Sequence, residues 1–86
     1  MEVASIPGNI RIKVKEKSRL NPNLIRREIK RIPGVVNVWY VHNSKQFDML
    51  ADIEVQNYEQ VEKIKSALKH KHYVEDIDTL VSSSLQ

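Results

Sequence analysis

The feature that most constrains the fold is the run from Ile32 to Val41, in which a Pro-Gly pair joins a helical pattern to a strand pattern. Pro33 and Gly34 predict the end of a helix, because proline cannot continue one and glycine accepts the turn that follows. The next residues, Val-Val-Asn-Val-Trp-Tyr-Val, are β-branched or aromatic and predict a strand. A polar loop at 42–46 then precedes another apolar run. This order is typical of the centre of a mixed α+β domain.

The residues before this run predict one strand and one helix. Residues 10–15 alternate Ile, Ile and Val with Arg and Lys, the pattern of a half-buried strand, and Pro7-Gly8 predicts a turn just before it. Asn21-Pro22 predicts a helix start, with asparagine as the cap and proline at the first helical position. The apolar residues that we expect this helix to bury are Leu24, Ile25, Ile29 and Ile32.

The residues after this run predict a strand, a helix and a final strand. Residues 47–55 alternate apolar with acidic or other outward side chains and predict a strand. Asn57 with Gln60 resembles a capping box and predicts the start of a helix. Residues 73–81 predict the last strand. The resulting βαββαβ order is that of the ferredoxin-like fold. Right-handed crossovers then predict an antiparallel sheet in the order 4-1-3-2 with both helices on one face.

The chain of 86 residues predicts one domain covering 1–86. Because it has no cysteine, disulfides and Cys-based zinc sites are excluded. We find no run of about 18 apolar residues and no signal-peptide pattern, so we expect a cytoplasmic protein without a membrane partner.

Charge is divided unevenly along the sequence. Residues 1–45 hold ten Lys/Arg against three acids, and residues 46–86 hold four Lys against eight acids. A basic half can indicate nucleic-acid binding. The same division also fits a chain that pairs its own charges across a sheet, or pairs them with a second copy.

Residue types do not favour catalysis or a bound metal. His70 and His72 have no carboxylate at zinc-ligand spacing, and a solvated basic helix end explains them better. The acids of the third strand share one strand face, where pairing with lysines is the simpler interpretation. A glycine-rich phosphate loop is absent, since Gly8 and Gly34 are the only glycines. The third strand also has acids where RNA-binding sheets place aromatic rings. We therefore expect neither an enzyme nor a cofactor.

The sheet face opposite the helices is the predicted interface between copies of the chain. Arg11 and Lys13 of the first strand should project there beside the acids of the third strand, and a tryptophan among them favours an interface over bare surface. The residues that we assign to this dimer interface are Val38, Trp39, Arg11, Lys13 and Asp52.

The loop from Val41 to Asp48 is the predicted place for a ligand, although an ordinary hairpin loop is the simpler explanation of its polarity from the residues alone. An amino-acid-like ligand needs acceptors for its ammonium group, which Asp48 can supply. It also needs donors for its carboxylate, which Ser44, Lys45 and backbone N–H groups can supply.

The order Ile32-Pro33-Gly34-Val35-Val36-x-Val38, a polar loop, Phe47-Asp48-x-Leu50, then Val74 and Asp78-Thr79-Leu80-Val81 resembles a known family. It is similar to the effector-binding (RAM) domain of the leucine-responsive regulatory protein/AsnC family, over about residues 9–82. The resemblance implies dimerisation through the sheets, rings of dimers, and amino acids or related metabolites bound at the junctions. The ligand-binding residues that it and the loop chemistry suggest are Asn43, Ser44, Asp48 and Thr79.

Three functions therefore stay open on the sequence. The first is an amino-acid-sensing and oligomerisation module that pairs with itself or with a full-length regulator of the same family. The sequence has no predicted helix-turn-helix, so we expect a stand-alone domain, or a piece of a longer regulator, without direct DNA binding. The second is an oligomerisation domain without a ligand. The third, from another class, is nucleic-acid binding through the basic first half.

Overall fold

The computed structural model describes residues 5–18, 21–42 and 45–81, and the described residues form a βαββαβ domain. Its elements, in chain order, are β1 (Ile6–Val14), a short 3-10 turn (Glu16–Ser18), α1 (Pro22–Lys30), β2 (Val35–Tyr40), β3 (Met49–Val55), α2 (Tyr58–Lys69) and β4 (Val74–Val81). The predicted α+β class is confirmed.

The four strands form one antiparallel sheet in the order β2-β3-β1-β4, which is the predicted order read from its other edge. Period-two alternation assigns the side chains of each strand to two faces. One face packs on both helices, and Ile10, Ala51 and Ile64 are almost completely buried there. No helix of the described residues packs on the other face, which we call the open face. Its side chains include Arg11, Lys13, Trp39, Leu50 and Asp52. It is the face on which an interface was predicted.

The predicted turn at Pro7-Gly8 is wrong, because both residues lie inside β1. Pro7 pairs with Glu54 of β3, whereas the pairing of β1 with β4 begins only at Gly8 and Val81. Among the described residues, Pro7 therefore has a neighbouring strand only on the β3 side. Proline is tolerated at such an edge position because no partner strand needs its missing N–H.

Helix α1 buries a narrower stripe than its sequence predicts. Ile25 and Ile29 are buried, and Ile32, just beyond the helix, is buried as well. Leu24 was expected in the core, but its side chain is 54% exposed. The helix is only 9 residues long. Ile25 and Ile29 on the helix and Ile32 directly after it are therefore enough to cover the adjoining part of the sheet.

The Pro33-Gly34 corner forms as predicted. Gly34 has φ of 97°, in the left-handed region that favours glycine, and its carbonyl accepts the N–H of Glu54 at 2.9 Å. A Cβ atom at this position would lie 2.7 Å from Cδ1 of the buried Ile64. Conformation and packing against α2 therefore both require glycine here.

Candidate interface and ligand site

The open face carries rows of side chains that cross all four strands. In one row Trp39 lies opposite Leu50, Leu50 opposite Arg11, and Arg11 opposite Asp78. Three large apolar side chains of this sheet are about half exposed: Val36 at 52%, Trp39 at 50% and Leu80 at 49%. Apolar groups set in a charged field are typical of the surface through which proteins associate.

Trp39 is held against the open face by a hydrogen bond. Its indole Nε1 donates to Oδ2 of Asp52 at 2.5 Å. With its amide nitrogen turned toward β3, Asn9 donates to the other Asp52 oxygen at 2.8 Å. The Asp52 carboxylate thus accepts hydrogen bonds from both neighbouring strands, and it orients the tryptophan ring without covering it.

The cations of β1 pair with a different strand from the one expected. Arg11 lies 3.8 Å from Asp78, and Lys13 lies 3.3 Å from Glu75, so both pair with β4. The prediction that they pair with the acids of β3 is therefore wrong. The Arg11 guanidinium also lies 5.3 Å from the centre of the Phe47 ring, a cation–π contact at the start of β3.

Val38 does not reach the predicted interface. Its side chain is 1% exposed and packs in the core with the helices. The alternation of β2 places Trp39 on the open face and so turns its neighbour Val38 inward. The assignment of Val38 to the interface is corrected, whereas Trp39, Arg11, Lys13 and Asp52 do lie on the open face.

The two edge strands satisfy outward backbone groups with side chains. On β2, Val38 N–H donates to the Asn37 side chain at 2.9 Å, and the Val38 carbonyl accepts Arg26 Nε at 2.9 Å. On β4, Ile77 N–H donates to the Asp76 carboxylate at 2.9 Å. Groups satisfied in this way are not available to a further strand. Association through the open face is consequently favoured over edge-to-edge pairing.

Asp48 lies at the end of the sheet, where its backbone and side chain join three segments. Its carboxylate Oδ2 accepts the N–H of Val14 at 2.8 Å, and its own N–H donates to the Ile12 carbonyl at 2.8 Å. Its carbonyl accepts the N–H of Val41 at 2.9 Å. Asp48 therefore fastens the entry of β3 to the end of β1, in addition to any role toward a ligand.

A cleft of about 320 Å³ opens beside Asp48, between the first turn of α1 and the end of β2. Tyr40 Oη donates to the Asn23 side chain at 2.5 Å across it, and the Arg26 guanidinium lies 5.7 Å from the centre of the Tyr40 ring. His42 and Asp48 complete its polar lining, while Val14, Pro22, Ile25, Val41 and Met49 supply apolar walls. An apolar cleft with a few converging polar groups fits a small molecule.

Thr79 lies away from this cleft. It is opposite Ile10, whereas the Asp48 carboxylate binds the backbone of Val14, four residues or about 13 Å further along β1. The Thr79 hydroxyl is buried without a hydrogen-bond partner among the described residues. Within one subunit, then, the two residues do not share a site. The other predicted ligand residues, Asn43 and Ser44, lie outside the described residues.

Two residues of the cleft, Asn23 and Tyr40, and Arg26, which contacts the Tyr40 ring, were not identified from the sequence. The sequence places Arg26 on the solvent side of α1 and Tyr40 within a strand, and it indicates no role for Asn23. The available signal was a tyrosine at the end of a strand. It does not specify which side chains that tyrosine contacts.

Tyr73 contacts α1 from the entry of β4. Its side chain is 3% exposed, and its hydroxyl lies 3.4 Å from the Glu28 carboxylate, which is also 3.9 Å from the Lys71 ammonium. Burial, together with the charge and hydrogen bond of Glu28, raises the pKa of Tyr73 to about 12. The protonated phenol is thus favoured by the fold.

The described residues, 5–18, 21–42 and 45–81, contain neither a candidate membrane span nor a candidate metal site. No helix among them has the length and apolarity that crossing a membrane requires. No three His, Asp or Glu side chains in these ranges converge in a way that could hold a metal ion.

Comparisons with known proteins identify the fold. No protein-family model matches the sequence, and no curated protein matches it. Among solved structures, it superposes on an AsnC family transcriptional regulator from Agrobacterium tumefaciens with a TM-score of 0.76 and 14% identity. That match covers 94% of this chain and 52% of the other.

Two more structures show the same likeness. A transcriptional regulator from Neisseria meningitidis, solved as a complex with L-Met, matches with a TM-score of 0.74 and 13% identity, over 90% of this chain and 49% of that one. A protein from Thermus thermophilus matches with a TM-score of 0.75 and 18% identity, over 90% and 91% of the two chains. The chain thus has the fold of one half of AsnC-type regulators, as its sequence resemblance implied, and spans about half the length of the two regulators.

Proposed function

We propose that this chain is an effector-sensing and oligomerisation domain of the Lrp/AsnC type. Copies associate through the open face, and an amino acid or related metabolite binds at the end of the sheet near Asp48. The observation that carries the proposal is the open face itself, in which half-exposed Trp39 and Leu80 lie among charged residues on a fold shared with transcriptional regulators.

Support for the ligand comes from the cleft beside Asp48. It is of the size of a small-molecule site, and it combines a carboxylate, a phenol, an amide and an imidazole with apolar walls. A carboxylate and an amide oxygen are suitable acceptors for an ammonium group. The relative from Neisseria meningitidis was solved with L-Met, and by that analogy an amino acid is the first class to test.

A second candidate, oligomerisation without a ligand, is favoured by one contact. The Asp48 carboxylate already accepts the Val14 N–H at 2.8 Å, so its presence is explained by the fold alone. A carboxylate or an amide side chain can make that bond, but only the carboxylate offers negative charge to an ammonium group.

Thermal unfolding in the presence of each of the twenty amino acids separates the two candidates. A ligand at 100 times its Kd stabilises the folded state by about 2.7 kcal/mol, which raises the Tm of a domain of this size by roughly 10–20 °C. We expect at least one amino acid to raise the Tm. Asp48→Asn, which keeps an acceptor for Val14, should lose this shift, and the open-face control Glu54→Gln should keep it.

If no amino acid raises the Tm of the unmodified chain, the ligand half of the proposal fails and the oligomerisation domain remains. If Asp48→Asn responds like the unmodified chain, the ligand binds elsewhere and Asp48 is a fold residue only.

A further inference from the structure

The two helices carry a large part of the positive charge of the chain. From Pro22 to Arg31 and from Tyr58 to Lys71 there are eight Lys/Arg against three acids, a net charge of +5. The open face carries Arg11 and Lys13 against five acids: Asp52, Glu54, Glu75, Asp76 and Asp78. Opposite sides of the domain therefore have charge of opposite sign.

The acids of the helices do not neutralise this charge. Glu28 is shared by Lys71 and Tyr73, and Glu62 is paired with Lys65 at 3.2 Å. Glu59 lies in the first turn of α2, where it complements the positive end of the helix dipole.

Among the exposed cations that have no ion pair in the described part of the chain, Arg31 and Lys63 line the seam between α1 and α2, and Arg27 stands beside it on α1. Arg31 lines one side of the seam, where Ile32, Pro33 and Ala67 form the floor, and Lys63 lies over the same floor on its other side. Arg27 stands one turn before Arg31 on the same stripe of α1. We call Arg27, Arg31 and Lys63 the seam cations.

We propose that the seam cations form a second interaction surface that binds the phosphate backbone of duplex DNA without reading its sequence. Guanidinium groups present a fork of donors that matches phosphate oxygens. Arg27 and Arg31 are about 6 Å apart along the helix axis, and each DNA strand offers one phosphate per about 3.4 Å of its axis. Both side chains can therefore engage phosphates of one strand.

The composition of the seam favours DNA over other polyanions. Leu24 is the large exposed apolar residue that borders it, which is little apolar surface for insertion into lipid. The half-exposed Trp39 that could stack on an unpaired base lies on the opposite side of the sheet. The surface is also independent of the proposed function, because the seam faces away from the open face and both can be occupied together.

Fluorescence anisotropy of a short labelled DNA duplex of mixed sequence tests the proposal in the unmodified chain and two triple variants. Arg27→Gln/Arg31→Gln/Lys63→Gln removes the seam cations and introduces a good helix former. Lys15→Gln/Lys17→Gln/Lys45→Gln removes the same charge from exposed positions outside the two helices. Sedimentation and thermal unfolding check that both variants keep the fold and mass of the unmodified chain.

We expect binding that weakens steeply between about 50 and 200 mM salt. The slope of log affinity against log salt should be shallower by about 2.7 in the seam variant, since each phosphate that a cation neutralises adds about 0.9 to it. The control variant should keep most of that slope. An equal decrease of the slope in both variants would show a net-charge effect and overturn the proposal. So would the absence of binding at the lowest salt, or equally strong binding to anionic phospholipid vesicles or polyglutamate.

Discussion

The two faces of the sheet are built from the same strands but differ in what completes them. On the helix-covered face Ile10, Ala51 and Ile53 are almost fully buried by the chain itself. On the open face their strand neighbours include Arg11, Leu50 and Asp52, which stay partly exposed. Because side chains alternate along each strand, the sheet has two surfaces on which other groups can pack, and the two helices cover only one of them. The stability of the subunit therefore depends on the helix-covered face, whereas the open face is left for the association that we propose.

Charge separates the same two sides. The basic residues concentrate on α1 and α2, and the acids of the second half of the sequence concentrate on the open face. Of the three interpretations of the charge gradient, self-neutralisation across the sheet is seen, within the described ranges, in the pairs from β1 to β4, Arg11–Asp78 and Lys13–Glu75.

The largest expected effect is found by comparing two adjacent residues of α1, one of which packs in the core while the other faces solvent. Ile25 is 4% exposed and Leu24 is 54% exposed. Ile25→Ala should lower the free energy of unfolding by about 2–5 kcal/mol, because it leaves a cavity under the helix. Leu24→Ala should change it by less than about 0.5 kcal/mol. Urea denaturation measures the free energy of unfolding of both variants. Equal losses would contradict the assignment of Ile25 to the core and of Leu24 to the surface.

The next effect tests the corner that positions α1 over the covered face. Gly34→Ala should cost about 1–3 kcal/mol, because alanine is strained at positive φ and its Cβ would crowd Ile64. Gly34→Ala combined with Ile64→Val relieves the contact but not the backbone strain. A double variant as stable as Ile64→Val alone would show that the conformation of residue 34 imposes no cost.

A smaller effect is expected from Tyr73 at high pH. Its pKa is about 12 in the folded chain and near 10 when unfolded, so its protonated form stabilises the fold below pH 10. That stabilisation should be lost as pH rises from 10 to 12, since the unfolded chain releases the proton first. The loss should be absent in Tyr73→Phe and retained in the exposed control Tyr58→Phe. Equal pH profiles for all three chains would refute this assignment.

The smallest effect is expected on the open face. Arg11→Gln removes the ion pair with Asp78 and the contact with the Phe47 ring. Both partners of the ion pair are exposed, so the free energy of unfolding of the subunit should fall by no more than about 1 kcal/mol. A cost close to that of Ile25→Ala would mean that the open face, too, is essential to the subunit fold.

The fold could be predicted because its signals are local. The alternation of residues 10–15 and 47–55, the Pro33-Gly34 corner and the Asn57 cap each act within a few residues, and the crossover rule then determined the strand order. The Asn57 side chain accepts the Gln60 N–H at 3.0 Å, as the capping signal indicated. The turn predicted at Pro7-Gly8 was wrong because pairing with β3, a contact between residues distant in sequence, extends β1 through both residues.

The candidate site was less predictable because its contacts depend on register. Alternation alone could not say that Arg11 and Lys13 pair with β4 rather than β3, since both neighbours carry acids. It could, however, have excluded Val38, because Trp39 and Val38 cannot face the same side of one strand. The meeting of Asn23, Tyr40 and Asp48 depends on how α1 crosses the end of β2, which no local pattern encodes.

Copies of this chain, we propose, associate through the open face. Sedimentation equilibrium of the unmodified chain, Trp39→Arg and the helix-side control Leu24→Arg tests it most directly. Trp39 and Leu24 are similarly exposed, on opposite sides of the domain. The account predicts a dimer or larger assembly for the unmodified chain and for Leu24→Arg, and a monomer for Trp39→Arg. A monomeric unmodified chain, or an assembly that Trp39→Arg leaves intact, would contradict it.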